Sequence, residues 1–175
     1  MTPVLLVVAA IATAAPASGV YELPEAAARA LRERAHQMTD AALNEDDAAV
    51  VRHMYPRVVQ AMGGAEQARR RVEAAQLGIK RDGASVVSAT YGSVRACARV
   101  PAQVQCLLAG KQVIQIRGGR LLQDTETLAF SADGGRSWTF LSVAQEPASL
   151  RAALPELSPS LPLRRQPAPV FEREP

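Results

Sequence analysis

In the stretch LLQDTETLAF, residues 121 to 130, strand-like alternation puts Leu122, Asp124, Glu126, Leu128 and Phe130 on one face. Gln123, Thr125 and Thr127 fall on the other. Two carboxylates sharing a face with apolar neighbours come closer to catalytic chemistry than any other pattern in the chain. Enclosed, they would have raised pKa values and serve as acid and base. Open to solvent, they are ordinary strand charges, and alternation alone does not say which face is inner. His53 is a third candidate, a general base on a helix just before Met54-Tyr55-Pro56; the only other histidine is His36. Tyr55, Tyr91 and Trp138 are candidates for the wall of a core or ligand pocket, each joining an apolar body to a polar tip. No serine sits in a nucleophile elbow, and there is no H-E-x-x-H, phosphate-cradling glycine loop or cofactor fingerprint. No cofactor and no metal are expected, and no complete catalytic set is visible.

The next ten residues, SADGGRSWTF (131–140), have the S-x-D-x-G-x-x-W spacing of an Asp-box, the hairpin motif of sialidase-like β-propellers. Its chemistry is structural. Ser131 and Asp133 can bond backbone amides around a turn, Gly134 and Gly135 supply positive φ, and Trp138 packs beneath. None of them attacks or protonates a substrate. A propeller needs repeated four-stranded blades, and this chain has one copy of the box after a helical region. A glycosidase is excluded on that ground.

Two kinds of structure must hold these residues. In LPEAAARALRERAHQMTDAALN (23–44), Ala28, Leu31, Ala35, Met38 and Ala42 form one apolar helical stripe. NEDD (44–47) offers caps for a second helix with the stripe Val50, Val51, Met54, Val58, Val59 and Met62. Pro56 lies inside that stripe, so this helix either kinks or ends at Tyr55 and restarts with proline in its first turn. Gly63-Gly64 stops it, and a third helix, AEQARRRVEAAQL, is expected to end at Gly78. From about Lys80 the period becomes alternating, and the turn signals RDG (81–83), RGG (117–119) and DGG (133–135) separate antiparallel strands. Pro101 argues against a continuous central strand through SVRACARVPAQVQCLLAG, so a loop or bulged hairpin is expected there. Seven of the twelve prolines lie between Pro147 and Pro175, which predicts a short helix at PASLRAAL and then a proline-rich tail, extended and frayed at its end.

The N-terminal PVLLVVAAIATAAPASG has a short apolar core followed by A-x-A sites at Ala12–Ala14 and Ala15–Ala17. Residues 1–17 are expected to be a cleaved signal peptide, too short for a membrane span, directing the chain to the periplasm or outside the cell. In an oxidising compartment Cys97 and Cys106, the only cysteines, are expected to form a disulfide. The net charge of +3 is mild and its excess is spread over residues 81–145, with seven bases against four acids. Those bases form no phosphate-tracking stripe and have few aromatics between them, which argues against nucleic acid.

Helices followed by an antiparallel sheet predict an α+β domain over residues 21–146, with 147–175 as helix and tail. Beyond element order, MYPRVVQAMGG (54–64), LAFSADGGRSWTFLSV (128–143) and LPELSPSLPL (154–163) resemble a group of uncharacterised exported bacterial proteins of the nuclear-transport-factor-2-like fold. Tyr55-Pro56, Gly63-Gly64, Asp133-Gly134-Gly135 and Trp138-Thr139-Phe140 carry the resemblance. It implies three helices closing a pocket over a curved, cone-shaped sheet, and a homodimer through the sheet face, but no particular reaction. That wider fold hosts ketosteroid isomerases and polyketide cyclases together with many binders, so fold alone does not choose among functions. The reading favoured by the absence of a catalytic set is a non-catalytic exported domain that binds a small apolar molecule or an envelope protein. The alternatives are an isomerase- or dehydratase-like enzyme using Asp124 or Glu126 inside the cone, with His53, and an inhibitor or immunity-type protein of the cell envelope.

Overall fold

The structure, a computed structural model, describes residues 21–144 and 146–173. The expected signal peptide lies outside the described residues. The fold is α+β, with helices first and an antiparallel sheet after them. Helix α1 (Glu25–Leu43) buries Ala27, Ala28, Leu31 and Ala35, and small side chains on that face let it lie close to the sheet. The expected second helix is in two pieces, α2 (Asp47–His53) and α3 (Pro56–Ala61), so four helical segments rather than three precede the sheet. Asp46 caps α2 by accepting a hydrogen bond from Ala49 N at 2.9 Å. The break has a steric cause. A residue before proline is pushed out of the helical region, and Tyr55 is extended while Pro56 opens α3. Helix α4 (Ala65–Arg81) runs past Gly78, where the sequence pattern predicted its end. The actual stop is Gly83, with φ +71°, whose amide bonds Lys80 O while Ala84 N bonds Ile79 O. A lone glycine only weakens a helix, whereas this paired turn terminates it.

The sheet contains β1 (Ser85–Val100), β2 (Gln103–Ile116), β3 (Gly119–Ser131), β4 (Thr139–Ser142) and β5 (Val170–Arg173). The order is β1-β2-β3-β4, and β5 pairs with the opposite end of β3 from β4. Two-residue turns, Pro101-Ala102 and Arg117-Gly118, join the three long strands. Pro101 therefore sits between strands, where its missing N–H costs nothing. The β1–β2 ladder has three register shifts along β1 and is pinned by a disulfide between the directly opposed Cys97 and Cys106. A bonded cysteine pair fits an oxidising compartment.

Both faces of the sheet are covered. Against α1 lie Cys97, Val104, Cys106, Leu108, Trp138 and Phe140. On the other face Leu107, Leu128 and Phe130 pack against α5 (Pro147–Ala153) and the leucines that follow it, Leu154, Leu157 and Leu161. The proline-rich segment expected to run extended instead completes this second core. Gln105, fully buried, fastens it: its side chain donates to Glu156 O at 2.8 Å and accepts from Ser158 N at 2.8 Å. Among the described residues no helix is long and apolar enough to cross a membrane.

Two stability measurements check this arrangement. Replacing Cys97 and Cys106 by alanine, or reducing the bond, lowers the urea-unfolding free energy by about 2–3 kcal/mol, the loop-entropy value for so short a closure. Leu161→Ala costs about 2–4 kcal/mol if the tail belongs to the core, and close to nothing if it is a loose appendage.

Candidate functional site

Between the helices and the sheet lies a groove of about 450 Å³. One wall comes from Met38 and Leu43 of α1, Val50 of α2, Met54, Val58 of α3 and Met62. Three of the chain's four methionines line this one groove. The sheet supplies Val86, Tyr91, Phe140, Thr125 and Thr127. Tyr91 and Phe140 stack with ring centroids 6.4 Å apart and form part of its floor. Burial raises the Tyr91 pKa, and hydrogen bonding with Thr127 and Thr39 opposes that rise, so the phenol is a neutral group at ordinary pH. The single charged residue in the lining is Lys111, whose side chain is largely exposed and sits 4.0 Å from Asp124. The interior is thus apolar with a few hydroxyls and holds no ionised carboxylate.

The break between α2 and α3 does much of the shaping. Met54 and Tyr55 run alongside β4: Met54 bridges to Phe140, and Tyr55 N donates to Phe140 O at 2.8 Å. Extended neighbours point to opposite sides. Met54 therefore enters the groove, while Tyr55 stacks on Phe130 in the other core with centroids 3.9 Å apart. Its hydroxyl donates to Glu156 Oε1 at 3.1 Å.

Of the residues singled out from sequence, only Tyr91 lines this groove. Asp124 and Glu126 lie on the opposite face, in register with Leu128 and Phe130, so the reading that places them inside the helix-covered pocket is corrected: Thr125 and Thr127 face it instead. Glu126 is buried and ion-paired with Arg95, and Asp124 is exposed. His53 is buried at the end of α2, its Nδ1 without a partner among the described residues, and it is not in the lining of the groove. Burial first, and then the charges of Arg34 and Arg52, lower its pKa, which keeps it neutral. Trp138 is fully buried in the core beneath its turn and is not part of a pocket wall. Among the described residues no cluster of His, Cys, Asp and Glu is placed to hold a metal ion.

The S-x-D-x-G-x-x-W turn is fully wired. Asp133 Oδ1 accepts from Arg136 N at 3.0 Å and Ser137 N at 2.9 Å, and Oδ2 accepts from Ser137 Oγ at 2.6 Å. Ser131 Oγ accepts from Gly135 N at 2.7 Å and donates to Asp133. Trp138 Nε1 donates to Gly135 O at 3.1 Å. Gly135 has φ +98°, and a Cβ there would stand 2.5 Å from Ala27 Cβ. The turn therefore seats the start of α1 and leaves every functional atom of the box occupied.

The wall formed by Met54, Val58 and Met62 was visible in the sequence only as a helical stripe, which reads equally as core; nothing local marked it as cavity lining. Compared with known protein families, with curated proteins and with solved structures, the chain matches none.

Gly135→Ala is expected to destabilise by about 2–3 kcal/mol, through left-handed strain and collision with Ala27. Asp133 supplies a pH test. Its hydrogen bonds, those from Ser137 foremost, hold the carboxyl far below its ordinary value of 3.8. A depressed folded-state pKa stabilises above the unfolded value and is lost as pH falls below it. The stability gap between wild type and Asp133→Ala, about 1–2 kcal/mol at neutral pH, narrows as pH is lowered below 3.8. A gap independent of pH would show that these bonds contribute nothing.

Proposed function

We propose that this protein is an exported, non-catalytic binding protein that holds a small apolar molecule in the groove between its helices and its sheet. The observation that carries this reading is the lining: mostly apolar side chains with hydroxyls, two glutamines and the exposed Lys111 around about 450 Å³, and no carboxylate, imidazole or thiol among them. That volume is in the range of small-molecule sites, and apolar walls with a few placed polar groups are their usual makeup. Methionines make an adaptable wall, suited to a flexible or variable occupant. Export rests on the expected signal peptide and on the Cys97–Cys106 bond, which fits an oxidising location such as the periplasm. Helices laid over an antiparallel sheet support the nuclear-transport-factor-2-like reading of the fold.

The test is titration of the protein with a neutral solvatochromic dye. Val58→Arg, which puts a guanidinium in the groove, weakens binding by about tenfold or more. Leu77→Arg, at an exposed site on α4 outside the groove, leaves it unchanged. Equal losses in both variants, or none in Val58→Arg, would sink the proposal.

A further inference from the structure

The opposite face of the sheet carries a second cavity of different character, about 500 Å³, that the apolar-groove reading does not use. Its floor is the outer face of β1–β3, kept low by Gly92 and Ala109, and its roof is residues 164–167. The charges around it fall into pairs with one left over. Glu126, buried, is matched by Arg95, and its second oxygen accepts from Arg164 N at 3.4 Å. Asp124 faces Lys111 at 4.0 Å, and Arg165 turns to Glu146 at 3.0 Å. Among the described residues the guanidinium of Arg164, an exposed residue, has no acidic partner. Beside it in the lining, Gln166 carries a buried side-chain nitrogen with no acceptor. An exposed guanidinium with no acidic partner and a buried amide nitrogen with no acceptor, in a cavity whose carboxylates are already matched, leave room for negative oxygen.

We infer that this cavity is an anion site, taking a small molecule through its carboxylate or phosphate group. Arg164 supplies a planar fork able to hold two oxygens at once, and the Gln166 amide supplies a third donor. Glu126 and Asp124 have Arg95 and Lys111 beside them, and the lining carries four Lys or Arg against two acids, which favours an anion over a cation. The roof is a solvent-exposed crossing: residues 164, 165 and 167 are exposed, between the buried Leu161 and β5, which pairs with β3. An anion that bonds Arg164 and Gln166 therefore also fastens the tail over the sheet.

The full chain is titrated calorimetrically in low-chloride buffer with inorganic phosphate and, separately, with citrate. Heat in one titration and not the other distinguishes phosphate from carboxylate as the favoured group. Arg164→Gln weakens the better anion by about tenfold, the loss of one charge-assisted, two-point contact. Arg117→Gln, an exposed arginine in the β2–β3 turn, leaves it unchanged. The anion also slows proteolytic trimming of the C-terminal ten residues in wild type and not in Arg164→Gln. Neutral-dye binding by Arg164→Gln at the wild-type level shows that the variant is folded, and Val58→Arg keeps its anion affinity because the two sites are on opposite faces. Silence with both anions, or equal losses in Arg164→Gln and Arg117→Gln, overturns the inference, the second by showing diffuse charge rather than a site.

Discussion

Along an extended strand, neighbouring side chains must face opposite ways, and in β3 that constraint divides the whole molecule. Thr125, Thr127 and Ala129 look toward the helices, while Asp124, Glu126, Leu128 and Phe130 look toward the C-terminal segment. A one-residue slip of β3 would exchange the two sets, put carboxylates among the methionines and leave the leucines of the tail with threonines for partners. The register is held from both sides. A long ladder to β2 fixes one edge, and β4 and β5 take the two ends of the other. Two sites of unlike chemistry thus stand back to back on a single strand.

Much of this arrangement was legible in the sequence, and the parts that were not share a cause. Strand limits followed from turn chemistry at Arg117-Gly118 and at Asp133-Gly134-Gly135, and the cysteine pair from its compartment. Local rules allowed either a kink at Pro56 or a helix opening there, and the structure has the second. Alternation told which residues of β3 belong together, but the side that the helices cover is decided by packing between elements far apart in the chain. The same holds for Pro147–Leu163. Its prolines read locally as a tail, yet Leu150, Leu154, Leu157 and Leu161 find an uncovered sheet face and bury against it. The extension of α4 past Gly78 is a smaller case, in which the backbone closure at Gly83 outweighs a glycine's modest helix penalty.

Several polar groups at the centre of the fold hold full sets of partners and organise it. Gln105 ties the tail to the sheet with both ends of its amide, Asp133 gathers two backbone amides and a hydroxyl, and Glu126 is matched by Arg95. A group already holding its full set of partners contributes rigidity, not reactivity. His53 Nδ1 and the Gln166 amide nitrogen are exceptions, the latter beside the exposed Arg164.

The disulfide sits beside the Pro101-Ala102 turn, whereas the methionine-lined groove meets β1 at Val86–Tyr91, toward the strand's other end. The two longest strands are accordingly cross-linked toward one end and held by the hydrogen-bonded ladder alone toward the other. Bulges loosen β1 between Val86 and Ala96, and α4 above that end contributes a single fully covered residue, Ala68. Local opening costs least there, so the cross-link confines breathing to the end of the ladder farthest from it.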